Sequence, residues 1–280
     1  MSDNIESTPK KNSDLPTRFA AAVVMIAVAL AVTYASGWPV RSLVALAASV
    51  MLLEWADMHR TPRIWAWLAI AGVAAALLAF AQRLFPAASN NPQLIDPADL
   101  QGAWPGFAAV AATAVVAGLL SRRLSMGWGV LYIGIPAFAL TLLNWAWFEL
   151  VLWTFLVVWA TDIFAYFAGR AIGGPKLAPR ISPNKTWAGL GGGMIGAAIV
   201  AWVAAHFMQL EEVFLYLGAP MGLLAQIGDL YESSVKRRLG VKDSGTILPG
   251  HGGVLDRLDG LLPVVLATLA VLMLLSTGTL

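Results

Sequence analysis

The chain has 280 residues, of which 59% are hydrophobic and only 12% charged, with a mean hydropathy of +0.72 and a net charge of +2. Soluble domains carry about 25% charged residues, so half that share describes a chain dissolved in lipid, and no nucleic-acid partner is expected of it. Cysteine is absent, which excludes disulfides, thiolate nucleophiles and Cys-based metal sites, and His59, His206 and His251 are too scattered for a His-rich zinc site.

In chain order, residues 1–17 are polar, with Pro9, Pro16 and two lysines, and are expected as a disordered cytosolic tail. A helix needs roughly 20 mostly apolar residues to cross about 30 Å of hydrocarbon. Nine stretches qualify, near 18–36, 39–57, 64–85, 104–121, 126–145, 147–170, 187–207, 211–230 and 258–276. The first reads as an uncleaved anchor: Thr33 and Ala35 make a passable cleavage site, but the rest of the chain is equally apolar. The expected architecture is an all-α polytopic membrane protein. N-terminal transmembrane helices occupy 18–145, and a C-terminal catalytic region over 146–280 carries the loops 171–186 and 231–257.

Nine spans make the loops alternate sides, which the basic residues test. With the N-terminus inside, 16 of the 18 lysines and arginines fall on the inner side and only Arg41 and Arg83 outside. Positive charge gathers on the cytosolic side of membrane proteins, so the N-terminus is expected in the cytosol and the C-terminus outside. The active site would then face the cytosol across the inner membrane, among membrane lipids.

Within the spans, Trp38, Trp65, Trp104, Trp145 and Trp147 stand near predicted ends and read as interfacial anchors. The GLGGGMIG stretch at 189–196 contains GxGxxG, but it follows no strand and lies inside a span. Its Gly189/Gly193 and Gly192/Gly196 pairs read as a close helix–helix contact. Acids are costly inside a membrane unless paired or hydrated. Glu54 is expected to be structural, paired with a nearby Arg or Lys, whereas Asp162 and Asp229 are expected to serve function.

The richest stretch is 231–260, YESSVKRRLGVKDSGTILPGHGGVLDRLDG. Asp229, Ser233 and Lys236/Arg237 recur at i, i+4 and i+7/i+8, which places an acid, a hydroxyl and a cation on one helical face. Gly240 is expected to end that helix, and a glycine-rich loop follows before a helix restarts near Val254 with Asp256 and Asp259 in its first turn. Taken singly, these features have plain accounts: acids complementing a helix dipole, and a basic run that stops transfer or meets anionic lipid headgroups. Together they are five cations, four acids, a histidine and clustered glycines in one loop. Metal-assisted chemistry on phosphates uses all of them, since Mg²⁺ binds through one or two acids plus phosphate oxygens. It needs no protein nucleophile if a second substrate's phosphate attacks.

At these residues the sequence resembles the phosphatidate cytidylyltransferase family. The likeness rests on Ser233, Val235, Lys236, Arg237, Lys242, Asp243, Gly245, Leu248, Pro249, His251, Gly252, Gly253, Val254, Asp256, Arg257, Leu258 and Asp259. Asp162, Tyr166, Gly169-Arg170, Ser182-Pro183-Asn184-Lys185-Thr186-Trp187, Gly189 and Gly228-Asp229 also look like the family, although it has a second lysine where Asn184 stands. The resemblance implies CTP and phosphatidic acid as substrates and one or two Mg²⁺ ions as cofactor. It implies Asp229 and Asp256 as first metal ligands, with Asp259 and Asp162 next. Lys185, Lys236, Arg237, Lys242 and Arg257 would hold phosphates, helped by Ser182, Ser233, Asp243, Gly252 and Gly253, and His251 would assist a proton or position a group. A CTP-dependent lipid kinase and a secondary transporter are the rival expectations, and a homodimer is left open.

Overall fold

The computed structural model describes residues 15–80, 102–247 and 252–279. Residues 1–14 of the predicted tail, the far end of the third predicted span with Arg83, and Leu248, Pro249, Gly250 and His251 lie outside the described residues. In chain order the helices are α1 (Leu15–Ala35), α2 (Trp38–Met58), α3 (Arg63–Ala75, continued by a π-helical turn at Ala76–Phe80), α4 (Trp104–Ser121) and α5 (Leu124–Ala146). Then come α6 (Phe148–Ala171), the strands β1 (Lys176–Ala178) and β2 (Ser182–Thr186), α7 (Trp187–Phe207), α8 (Val213–Tyr216), α9 (Gly218–Arg238), α10 (Leu255–Leu258) and α11 (Leu261–Ser276).

Five of these, α2 and α4 to α7, are long and apolar enough to cross a membrane, and Ile26–Ala35, Arg63–Leu78 and Leu261–Ser276 are shorter apolar helices. The chain is a helical membrane protein whose described sheet is a single two-stranded hairpin. Helices α5 and α6 meet at one extended residue, Trp147, one position past the gap expected between the spans 126–145 and 147–170. The stretch 211–230 is not one helix: α8 stops, Leu217 intervenes, and α9 runs on to Arg238. Pro220 lies in the first turn of α9, where its missing N–H costs nothing, and the helix is less apolar because it carries the polar site.

The glycines of α7 do what small residues do between membrane helices. A Cβ on Gly193 would lie 3.0 Å from the Thr161 carbonyl, and one on Gly189 3.0 Å from that of Ala165, so α7 rides directly on the backbone of α6. Gly222 repeats the device between α9 and α7, where a Cβ would sit 2.9 Å from that of Ala197. At one end of the bundle the loops after α2, α4, α6 and α9 are tied together. Arg123 Nη1 donates to the His59 carbonyl at 3.0 Å, and Arg237 Nε to that of Ile181 at 3.2 Å. The Ser244 hydroxyl reaches Glu54 at 3.1 Å.

Candidate active site

Helix α9 organises the site. It ends as expected at Gly240, whose φ of +73° only glycine adopts cheaply, with the N–H of Val241 returning to the Lys236 carbonyl at 3.0 Å. Gln226, Asp229 and Ser233 share one of its faces. Lys185, delivered by β2, places Nζ 2.5 Å from Asp229 Oδ2 and donates to Gln226 Oε1 at 2.8 Å. The Ser233 hydroxyl donates to Asp229 Oδ1 at 3.2 Å. The next residue after Lys185, Thr186, caps α7 by accepting from the Gly189 N–H at 3.0 Å, which fixes where the strand hands over to the helix. Asp162, on α6, lies within electrostatic range of Asp229, Lys185 and Arg257.

A second group lies one turn further on. Lys236 Nζ bridges Glu232 Oε2 at 2.5 Å and Asp256 Oδ1 at 2.6 Å. Asp256 also accepts from the N–H of Ser244 at 2.9 Å and of Gly253 at 2.8 Å, so its carboxylate draws both ends of the glycine loop onto α9. Burial opposes its ionisation, but the Lys236 ammonium and these two N–H groups outweigh burial and hold its pKa below the ordinary value. For Lys236, burial opposes the charge, and hydrogen bonds to Asp256 and Glu232 overcome it, so its pKa is raised. Burial pushes the Glu232 carboxyl up to about 7, against the pull of Lys236 and with the help of Asp256's negative charge. Glu232 is wholly buried, and its Oε1 has no hydrogen-bond partner.

The largest departure from the sequence reading is Glu54. Among the described residues it pairs with neither Arg nor Lys. Only 3% exposed on α2, it accepts from the N–H of Val254 at 2.8 Å, the N–H of Leu255 at 2.9 Å and the Ser244 hydroxyl. It therefore caps α10 from a helix some 200 residues away. The physical reason is that the free N–H groups at a helix start are better partners for a buried carboxylate than a distant cation. The glycines of the loop follow from it. A Cβ on Gly245 or Gly253 would lie 2.7 Å from the Glu54 carboxylate, and one on Gly252, at φ +84°, 2.7 Å from Asp256. In the structure these glycines admit the protein's own acids.

The other expected residues gather at the same end. Arg237 ties the β-hairpin to the end of α9, through Ile181 and the Val241 carbonyl at 3.3 Å. Lys242, Asp243 and Arg257 are exposed, and Ser182 is half-buried on β2. Asp259, beside the Gly228 backbone, accepts from the Gly260 N–H at 2.7 Å and feels the charges of Asp229, Glu232 and Lys236. His251 lies outside the described residues. Among the described residues no three His, Cys, Asp or Glu side chains form a ready-made metal cage. The donor set nonetheless suits Mg²⁺, which takes hard oxygens from one or two acids. Asp162 and Asp259 each have Asp229 as a neighbouring negative charge, an excess that a divalent cation relieves. Gln226, Glu232, Ser244 and Glu54 were not singled out for the site from sequence. The one signal was Glu54's charge inside a span.

A polar site of lysines, arginines and acids, closed by a glycine loop at one end of a membrane helix bundle, is equipped to bind phosphates. The chain matches the model of the cytidylyltransferase family over residues 16–275 and belongs to that family. It is 36% identical over 267 residues to a phosphatidate cytidylyltransferase of Brucella abortus biovar 1 (strain 9-941), a likeness covering 89% of this chain and 90% of the relative. Shorter and closer likenesses join it to phosphatidate cytidylyltransferases of Haemophilus influenzae (47% over 119 residues, 40% of this chain and 41% of the relative) and Staphylococcus aureus strain COL (49% over 112 residues, 39% and 43%).

Proposed function

We propose that this chain transfers the cytidylyl group of CTP to phosphatidate, releasing pyrophosphate and leaving CDP-diacylglycerol. The observation that carries this reading is the likeness to the Brucella enzyme along 90% of that protein's length. An oxygen of the lipid phosphate attacks the α-phosphorus of CTP in line, forming one P–O bond as the bond to the β-phosphate oxygen breaks. The attacking phosphate is largely ionised at neutral pH, so no protein base is needed to start the step. Lys185, Arg237, Lys242 and Arg257 bind and orient the phosphates, and Ser182 and Ser233 donate hydrogen bonds to them. Lys236, held between Glu232 and Asp256, presents a fixed positive charge, and Asp243, Gly252 and Gly253 shape the loop around the nucleotide. His251 positions the substrate phosphate. Asp229 and Asp256 would hold a Mg²⁺ ion, and Asp259 and Asp162 would add negative charge around it. When bound, the ion supplies charge neutralisation for the phosphates and the leaving pyrophosphate.

The chain crosses the inner membrane nine times, with the N-terminus and the site in the cytosol and the C-terminus outside. The 16-to-2 split of basic residues supports this, as does the meeting of four predicted inner loops at one end of the bundle. Residues 18–145 are the scaffold half and 146–280 the catalytic half.

Incubating the purified protein with phosphatidate, Mg²⁺ and CTP labelled on the α-phosphate should yield labelled CDP-diacylglycerol. Label reaching the lipid only from the γ-phosphate would replace this reading with a lipid kinase. No lipid labelling in either form would remove it.

A further inference from the structure

A cavity of about 730 Å³ lies on the far side of α9 from the candidate active site, between that helix and α2, α4 and α5. Tyr231, Val235 and Arg238 line it from α9, and Leu239 from the turn that follows. At about 100° per residue Tyr231 and Arg238 stand opposite Asp229, Ser233 and Lys236, so the cavity and the site take different sides of one helix. Its walls are almost wholly apolar, and Val115, Leu119 and Trp128 in them are at least half exposed. In a membrane protein such an opening faces acyl chains. The polar groups in the wall are already bonded: Trp128 Nε1 donates to the Tyr231 hydroxyl, and Trp55 Nε1 to the Ser125 carbonyl at 2.8 Å. What remains is apolar volume and a basic rim. Arg238 lines that rim, exposed and without an ion-pair partner among the described residues, and the turn carrying Arg122 and Arg123 adjoins it through His59.

We propose that this cavity binds an anionic glycerophospholipid, with an acyl chain against α4 and α5 and the headgroup phosphate at Arg238. Charge decides the occupant. An anionic lipid satisfies both the apolar wall and the cationic rim. The basic run at 236–238 thereby divides its work: Lys236 serves the site on one side of α9, and Arg238 holds lipid on the other.

The test uses the full chain in phosphatidylcholine nanodiscs, with trace phosphatidylglycerol carrying a photoreactive acyl chain and the labelled peptides mapped by mass spectrometry. Label is expected on α4 and on the end of α9, displaced by phosphatidylglycerol but not by phosphatidylcholine or inorganic phosphate. Arg238→Gln should weaken the labelling about fivefold, the worth of roughly one cation near a charged membrane surface. Val115→Trp, at an exposed position of the wall, should set an indole across the acyl-chain path and weaken labelling at least as much as Arg238→Gln, in protein that still elutes as folded. Equal labelling by a phosphatidylcholine probe, or unchanged labelling in both variants, would mean ordinary bilayer contact and overturn the proposal. Displacement by inorganic phosphate would overturn it too, as would intermolecular cross-links through this face.

Discussion

The helices before Trp147 and those after it divide the labour unequally. All the cations and acids assigned to substrate and metal stand after residue 146, on α6, β2, α9 and the segments around α10. The earlier helices are apolar and short of motifs, and they read as scaffold. Yet the loop that closes the site does not hold itself. It hangs on Glu54 of α2 and on Asp256, and three glycines are needed to bring it that close. In a helix bundle, chemistry carried by one half of the chain can be positioned by the other, through a single buried carboxylate that leaves no local motif.

This division can be broken most sharply from the catalytic side. Asp229→Asn and Asp256→Asn should each lower turnover by about 10³-fold, since metal-held phosphate chemistry supplies several kcal/mol and each 1.36 kcal/mol is tenfold. The two should differ in structure. Asp256→Asn also frees Lys236 and the N–H groups of Ser244 and Gly253, so it should raise hydrogen exchange in the loop, which Asp229→Asn should leave unchanged. Near-normal turnover in both variants would remove the metal assignment.

From the scaffold side the expected effect is smaller but more informative. Glu54→Gln turns an amide donor toward backbone donors and loses charge-assisted hydrogen bonds worth about 1.5–3 kcal/mol each. Turnover should fall about 10- to 100-fold with faster hydrogen exchange at 244–255, and a merely structural acid would lower the melting temperature without that local signature. Asp57→Asn, one turn further along α2, is the control: its pair with Arg63 at 2.8 Å is exposed, and solvent screening leaves it little to contribute. Gly253→Ala comes next, because the new Cβ would meet Ser244 and Glu54. Overpacking of this kind costs about 1–3 kcal/mol, visible as a lower midpoint in thermal unfolding.

The helical membrane fold, and the placing of several candidate residues on one helix, were legible for physical reasons. Hydropathy reads a span directly, and the spacing of Asp229, Ser233 and Lys236 is a property of one helix. The glycines of α7 could be read because close helix packing needs small residues at fixed intervals, as their contacts with Thr161 and Ala165 bear out. What sequence did not reveal depends on distance along the chain. Glu54 meets Val254 across about 200 positions, and no spacing rule reaches that far. The β1–β2 hairpin escaped because strands of three and five residues leave too little alternation to see. Gly252 and Gly253 are expected beside a bound phosphate, and the structure sets the protein's own acids there, since a glycine announces close approach without naming what approaches.

The smallest expected effect concerns the buried triad. Glu232 has its pKa raised to about 7 from an ordinary 4.5. An acid whose folded pKa is raised contributes stability that is fully present below the unfolded value and is lost as pH rises through the folded one. Between about pH 5 and about pH 8 the wild-type protein should therefore lose more thermal stability than Glu232→Gln, which cannot ionise. The partners do not confuse the comparison, because Lys236, with its pKa raised, stays charged across this range, and Asp256, with its pKa lowered, stays ionised. Equal slopes in the two proteins would mean that Lys236 keeps Glu232 ionised despite burial, and that the triad carries two fixed negative charges around one ammonium. Parallel turnover measurements locate the consequence. If protonation of Glu232 leaves Lys236 wholly to Asp256, the loop is held hardest on the acid side of neutrality, and its protection relative to the intrinsic exchange rate should fall as pH rises in the wild type but not in Glu232→Gln.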